Sequence, residues 1–185
     1  IYADLGRPDL ADNPLVNRTA EITSHNETIN ATKENLARAQ AATMATPNNI
    51  ESWLKLAEAA AGANDIAIEI HALRMARQLT NDDPGVLALL AEALSRAADG
   101  QVTVPARDLI ATVLVSDPSE PRALFLWGLA AFQDGDYQTA ITRWQTLLSI
   151  SAEEAPWLPI VRDNIEQAAE AGDILLNPAL GPDAE

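Results

Sequence analysis

The groups that could do chemistry in this sequence are almost all carboxylates. The 185-residue chain has 27 aspartates and glutamates, two histidines and no cysteine. Paired carboxylates can act as general acid and base. The adjacent acids here, Asp82-Asp83 and Glu153-Glu154, stand where helices are expected to begin, and negative charge is favoured there by the helix dipole. We therefore predict that these pairs stabilise helix starts, and no catalytic residue is assigned.

Metal and cofactor chemistry has equally little support in the sequence. A chain without cysteine has no thiolate ligand and no disulfide. His71 lies among apolar residues of an expected helix, with no second histidine near it. The stretch Asp134-Gly135-Asp136 lacks the alternating oxygen ligands and closing glutamate of a calcium loop, so it predicts a turn. We predict no metal, no cofactor and no enzymatic activity.

The charge balance restricts the class of partner. Twelve lysines and arginines leave a formal net charge of −15, which disfavours nucleic acid and anionic lipid surfaces and favours a basic partner. The longest apolar runs, such as Leu109 to Val115, are far shorter than the roughly 20 residues that a membrane helix needs. Any contact with a membrane is therefore expected through segments outside this sequence.

The elements that would position a binding site repeat along the chain. A pattern of large, large and small residues recurs about every 34 residues, in 53–57, 87–91 and 124–128. Each unit has the pattern of two amphipathic helices, and Asp83-Pro84 and Asp136 supply helix starts. The predicted organisation is an extended segment (1–19), a leading helix (20–46), three repeats within 47–152 (about 50–83, 84–120 and 121–154), a capping helix (153–172) that starts at the capping-box spacing Ser151 to Glu154, and a tail (173–185).

The repeats resemble the tetratricopeptide repeat (TPR). In the third unit, Gly128, Gly135, Ala140 and Leu148 stand where that family places them, and Trp144 occupies the slot of an aromatic residue. One helix pair cannot bury both of its faces, so the units must stack. The predicted fold class is all-α, a TPR superhelix of about three repeats with a leading helix and a C-terminal capping helix.

The repeat register predicts where a ligand binds. In the third unit, Leu124, Trp127, Gly128 and Ala131 form the expected core stripe, and Phe125, Leu129 and Phe132 form a second apolar stripe on the concave side. That stripe is either a contact surface or core covered by the last helix. With equivalent positions of the other units, and with Arg122 of the third unit added, the predicted peptide contacts are Leu54, Glu58, Glu92, Ser95, Arg122, Phe125, Leu129 and Phe132. Apolar residues beside glutamates favour a basic amphipathic helix as the occupant.

The opening segment narrows the resemblance. Leu5 to Arg18 is similar to the Leu-Gly-x-Pro-x-Leu-x-Asp-x-Pro-Leu-x-x-Arg stretch of the CcmI/CycH family of bacterial cytochrome c maturation. The segment from Ala123 to Trp144 resembles the best-marked repeat of that family, and Gly100 to Ala106 resembles its insertion. The resemblance implies the periplasmic domain of an inner-membrane-anchored chaperone. Its partners would be the C-terminal helix of apocytochrome c and the subunits of the haem ligation complex.

Two other functions remain open at this point. A repeat subunit of a related haem lyase for nitrite reductase has the same repeats, although the Leu5 to Arg18 motif disfavours it. The second alternative is a TPR scaffold that joins folded partners or self-associates in an envelope assembly complex.

Overall fold

The chain folds into helices that follow one another with short connections. The structure, a computed structural model, describes residues 15–176, and these residues form eight α-helices and no β-strand. The helices are α1 (Leu15–Ala45), α2 (Ile50–Gly62), α3 (Ile66–Thr80), α4 (Pro84–Ala97), α5 (Val104–Ser116), α6 (Pro121–Gln133), α7 (Tyr137–Ile150) and α8 (Leu158–Gly172). Among the helices of this described range, none is long and apolar enough to cross a membrane.

Most of these helices begin at a residue whose side chain caps the first turn. The Asp83 carboxylate accepts a hydrogen bond from the Val86 backbone N–H at 3.1 Å, and Asp136 accepts one from Thr139 at 3.1 Å, so both predicted caps are confirmed. Such side chains satisfy backbone donors that have no partner within the helix. The predicted turn at Gly135 is confirmed as well, since its φ of +77° is readily accessible only to glycine.

Each helix packs against the next one, and α4 also packs against α6. This α4–α6 contact places the first helices of two successive pairs side by side. The buried residues form two apolar clusters, one spanning α1 to α6 and one built from α6, α7 and α8. The second cluster includes Trp144, which has only 1% of its surface exposed.

A glycine allows α6 and α7 to approach closely. A Cβ atom added at Gly128 would lie 2.4 Å from Nε1 of Trp144, so any larger residue would collide with the indole ring. The same Nε1 donates a hydrogen bond to the backbone carbonyl of Phe125 at 3.1 Å. The pair Gly128 and Trp144 therefore sets both the spacing of the two helices and the position of the Phe125 backbone.

The expected start of the capping helix at residue 153 is wrong, because α8 begins at Leu158. Ser151 ends α7 instead: its hydroxyl donates to the Leu147 carbonyl at 2.7 Å and accepts from the Trp157 indole N–H at 3.0 Å. A helix from 153 would also place Pro159 in its interior, where proline removes a backbone hydrogen bond. In the observed α8, Pro159 lies in the first turn. Glu153 and Glu154 thus lie in the connection before α8 and do not begin it.

Two other expectations also differ from the structure. Residues 15–19, predicted to be extended, are helical in α1, because no proline or glycine interrupts the sequence between Leu15 and Thr46. The remainder of the predicted extended segment and residues 177–185 of the tail lie outside the described residues. The division of 47–152 into three repeats stays a prediction.

The core stripe of α6 was predicted with one error. Leu124, Gly128 and Ala131 are buried as expected, but Trp127 is only half-buried. The Arg143 guanidinium lies 5.3 Å from the centre of the Trp127 ring, in a cation–π arrangement. Trp127 therefore packs at the edge of the core, and the buried tryptophan of this region is Trp144.

Candidate functional site

A cavity of about 380 Å³ lies between α4, α6, α7 and α8. Its walls come from the first helices of two successive pairs and from the connection that leads into α8. We call it the groove cavity. Its lining residues are Glu92, Glu120, Pro121, Arg122, Phe125, Leu126, Leu147, Trp157 and Ile160.

One wall of the groove cavity is apolar and open to solvent. Trp157 and Ile160 are 41% and 53% exposed, although large apolar side chains are usually buried. Phe125 is half-buried, and its ring centroid lies 6.4 Å from that of Trp144, so the ring is supported by the second core cluster. The buried side chains of Leu126 and Leu147 complete this wall. The arrangement offers an apolar surface on which another apolar group could be buried.

The rim of the groove cavity is charged. Glu92 on α4 accepts a hydrogen bond from Nε of Arg122 on α6 at 2.7 Å, and both side chains are about half exposed. An ion pair of this exposure contributes little to stability, on the order of 0–1 kcal/mol. It does connect the two helices that form the groove.

The second carboxylate of the cavity belongs to Glu120. It is almost fully buried and caps α6 by accepting a hydrogen bond from the Ala123 backbone N–H at 2.5 Å. Burial raises the pKa of Glu120, and the hydrogen bond from Ala123 and the charge of Arg122 oppose this shift only in part. With Glu92, Glu120 and Arg122 ionised, the lining carries one excess negative charge.

The structure brings three of the eight predicted contact residues together. Glu92, Arg122 and Phe125 all line the groove cavity. Leu54 and Glu58 lie on α2, where Leu54 packs against the first core cluster and Glu58 is exposed. They lie in the helix pair that precedes α4, and neither residue lines the groove cavity.

The remaining three predicted residues are less accessible. Ser95 is only 3% exposed and its hydroxyl donates to the Ala91 carbonyl at 2.9 Å, so it presents almost no surface to a ligand. Leu129 and Phe132 are partly buried against the second core cluster, to which α8 contributes. The Phe132 ring lies 5.5 Å from that of Tyr137 and 6.1 Å from that of Trp144. For these two residues the geometry fits the alternative of core packing.

Sequence reasoning missed Trp157 and Ile160. The predicted capping helix from residue 153 gave these side chains no role, and their exposure depends on where α8 begins. Pro159 was the available signal, because a proline in the first turn marks a helix start just before it. Elsewhere, residues 15–176 contain no group of three histidines, aspartates or glutamates that could hold a metal ion.

Stacked antiparallel helix pairs with a tightly packed glycine and aromatic residue define a TPR domain, which confirms the predicted fold class. The chain belongs to the family described as the cytochrome c-type biogenesis protein H TPR domain, whose family model matches residues 28–157. The CcmI/CycH resemblance is thereby confirmed.

Individual proteins agree with this assignment. The chain is 28% identical over 165 residues, 89% of its length, to the cytochrome c-type biogenesis protein CycH of Bradyrhizobium diazoefficiens, and this match covers 44% of that relative. It is 32% identical over 108 residues to the formate-dependent nitrite reductase complex subunit NrfG of Escherichia coli O157:H7, covering 58% of this chain and 54% of the relative. The chain thus spans less than half of that CycH protein.

A solved structure supports the fold alone. The crystal structure of MamA protein superposes with a TM-score of 0.63 over 83% of this chain and 80% of that chain, at 19% sequence identity. At this identity the likeness concerns the helical architecture and carries no statement about ligands.

Proposed function

We propose that this domain is a non-catalytic binding module of c-type cytochrome biogenesis. It recognises the C-terminal helix of apocytochrome c and presents it to the haem ligation complex. The observation that carries the proposal is the groove cavity, in which Phe125, Trp157 and Ile160 form an exposed apolar wall beside the acidic residues Glu92 and Glu120. The family of the chain supplies the biological setting.

The chemistry of the groove fits an amphipathic helix. Such a helix buries its apolar face in a hydrophobic groove and leaves its polar face in water. A chain with a net charge of −15 also attracts a basic segment before contact and accelerates its association. An unfolded cytochrome gains burial of apolar surface in the groove without requiring a reactive group from the binding domain.

The same family membership supports a place in the cell envelope. We propose that the domain lies in the periplasm as part of an inner-membrane-anchored protein, with the anchor in segments outside this chain. The fact that the chain spans 44% of the Bradyrhizobium relative leaves room for such segments in a longer protein. A fusion of the complete gene product to a reporter that is active only in the periplasm tests this point, and an expressed fusion with an inactive reporter contradicts it.

The binding proposal is tested by calorimetry with the 185-residue chain. The titrants are a synthetic peptide of a c-type cytochrome's C-terminal helix and a scrambled peptide of equal charge. We expect only the native order to bind, and Trp157→Ala to weaken that binding. Val115→Ala is the matched control, because Val115 is also exposed (87%) but lies on α5, outside the groove cavity lining.

Three outcomes contradict the proposal. Equal binding of both peptides reduces the groove to an acidic surface. Equal effects of the two alanine variants place the site elsewhere. Absence of binding by either peptide favours the scaffold alternative, which a concentration-dependent mass in sedimentation or binding of folded partners would then support.

A further inference from the structure

We infer that the groove cavity recognises two residues on one turn of the bound helix. A bulky apolar side chain enters the cavity against Phe125, Trp157 and Ile160, and a lysine or arginine three or four positions away pairs with Glu92. This inference rests on the proposed function, because it specifies what the same groove selects in its ligand.

The size and lining of the cavity support the apolar half of the inference. Engineered apolar cavities of about 150 Å³ accept a benzene molecule, so the groove cavity, at about 380 Å³, has room for the side chain of leucine, methionine or phenylalanine. Leu126 and Leu147 are buried behind the opening, whereas Trp157 and Ile160 remain exposed beside it. A side chain placed there would cover both exposed residues at once.

The charges at the rim support the basic half. A carboxylate can accept about four hydrogen bonds, and Glu92 uses one oxygen, Oε2, for Arg122. Its other oxygen, Oε1, can therefore accept from an incoming ammonium or guanidinium group while Arg122 stays in place. Glu92 is also about half exposed, so a side chain arriving from solvent can reach it.

An acidic ligand group fits the same rim poorly. Arg122 is the only cationic side chain in the cavity lining, and it is already paired with Glu92. The Glu120 carboxylate lies within electrostatic range of Arg122 as well. A carboxylate of the ligand would thus be repelled by Glu92 and Glu120 and would compete with both for the Arg122 guanidinium.

The spacing of the two ligand residues follows from helix geometry. Residues three or four positions apart on a helix have Cβ atoms roughly 5–6 Å apart on one face. Phe125 and Glu92 lie on the packed helices α6 and α4, and axes of packed helices are typically about 8–10 Å apart. The length of a lysine or arginine side chain covers the difference.

A double-mutant cycle with the 185-residue chain tests the inference. The probes are the native cytochrome peptide and variants in which each basic residue is replaced by glutamine, or each large apolar residue by alanine. We expect one basic-to-glutamine change to weaken binding to the wild-type domain about three- to fivefold, the effect of one exposed ion pair. The same change should have almost no effect on binding to Glu92→Gln.

Glu34→Gln is the matched control for charge, because Glu34 is an exposed glutamate of α1 that lies outside the groove cavity lining. It should leave the coupling to the peptide's basic residue unchanged. One apolar residue three or four positions from that basic residue should show an alanine effect of tenfold or more, and this effect should shrink in Trp157→Ala. Circular dichroism confirms that each variant is folded.

The outcomes separate the inference from the proposed function. If the native peptide binds in preference to the scrambled one but no basic residue couples to Glu92, the inference alone is overturned. Equal coupling to Glu34 also overturns it. If the peptides show no preference for native order, the proposed function fails and the inference fails with it.

Discussion

The close contact between Gly128 and Trp144 gives a sharp prediction for Gly128→Ala. The added Cβ would lie 2.4 Å from Nε1 and 2.7 Å from Cδ1 and Cε2 of the indole ring. Trp144 is 1% exposed and belongs to the second core cluster, so a shift of the ring would disturb its buried neighbours. Either the ring shifts or α6 and α7 separate.

The expected loss can be built from three contributions. Overpacking of a core costs about 1–3 kcal/mol, and we take the upper end because the neighbour is a buried ring. Disturbing the hydrogen bond from Trp144 to the Phe125 carbonyl adds about 1 kcal/mol. Replacing glycine by alanine within a helix returns up to about 1 kcal/mol. The net expectation is a loss of about 3 kcal/mol.

Urea denaturation followed by circular dichroism measures this loss. Gly62→Ala is the matched control: Gly62 is the last residue of α2, has nothing within 4 Å of its added Cβ, and should be neutral or slightly stabilised. Gly128→Ala should also cost less in a Trp144→Leu background, because the colliding ring is gone. A loss below about 1 kcal/mol, or equal losses in both backgrounds, would refute the close-contact argument.

Three further predictions concern α6, α7 and the groove cavity. Trp144→Ala should lower the free energy of unfolding by about 3–5 kcal/mol in urea denaturation, because Trp144 is fully buried. Trp127→Ala should lower it by only about 1–2 kcal/mol, because Trp127 is half-buried, and equal losses would contradict this order. Phe132→Ala should mainly lower stability, whereas Phe125→Ala should mainly weaken peptide binding in calorimetry. The reverse result would mean that Phe125 is the core residue and Phe132 the binding residue. Burial raises the pKa of Glu120, so the folded state binds the proton of this carboxyl group more tightly than the unfolded state does. As the pH rises above the ordinary pKa of 4.5, ionisation of Glu120 therefore lowers the free energy of unfolding. Glu120→Gln should therefore gain stability relative to the wild type as the pH rises from about 4 to about 7, and an unchanged difference would be inconsistent with this burial effect.

Local signals in the sequence were sufficient for much of the fold. Asp83 and Asp136 each cap a helix whose first turn is adjacent to them in sequence, so their roles need no information about distant residues. The recurrence of large and small residues likewise indicates which helices pair. Gly128 on α6 contacts Trp144 on α7, and only a short turn separates these two helices in the sequence. The fold class and family membership followed from these patterns and from the resemblance of the repeats and the opening motif.

The accessibility of individual side chains depended on contacts between elements that are distant in sequence. Ser95 occupies the same repeat position as Phe132, yet it is almost fully buried. Trp127 is half-buried although its repeat position predicted core, because burial depends on the helices that pack on each side of α6. A repeat pattern identifies equivalent positions, but it does not specify how closely each neighbour covers them.

The groove cavity forms only through the packing of helices that are distant in sequence. Glu92 and Phe125 could be identified from the repeat register alone, because they occupy stripe positions of α4 and α6, the equivalent helices of successive units. Trp157 and Ile160 could not, because Ser151 was expected to begin a helix and instead ends α7. A serine hydroxyl can serve either purpose, and the choice depends on whether Trp157 and Leu147 are near enough to bond with it. That proximity exists only once α7 and α8 have packed together.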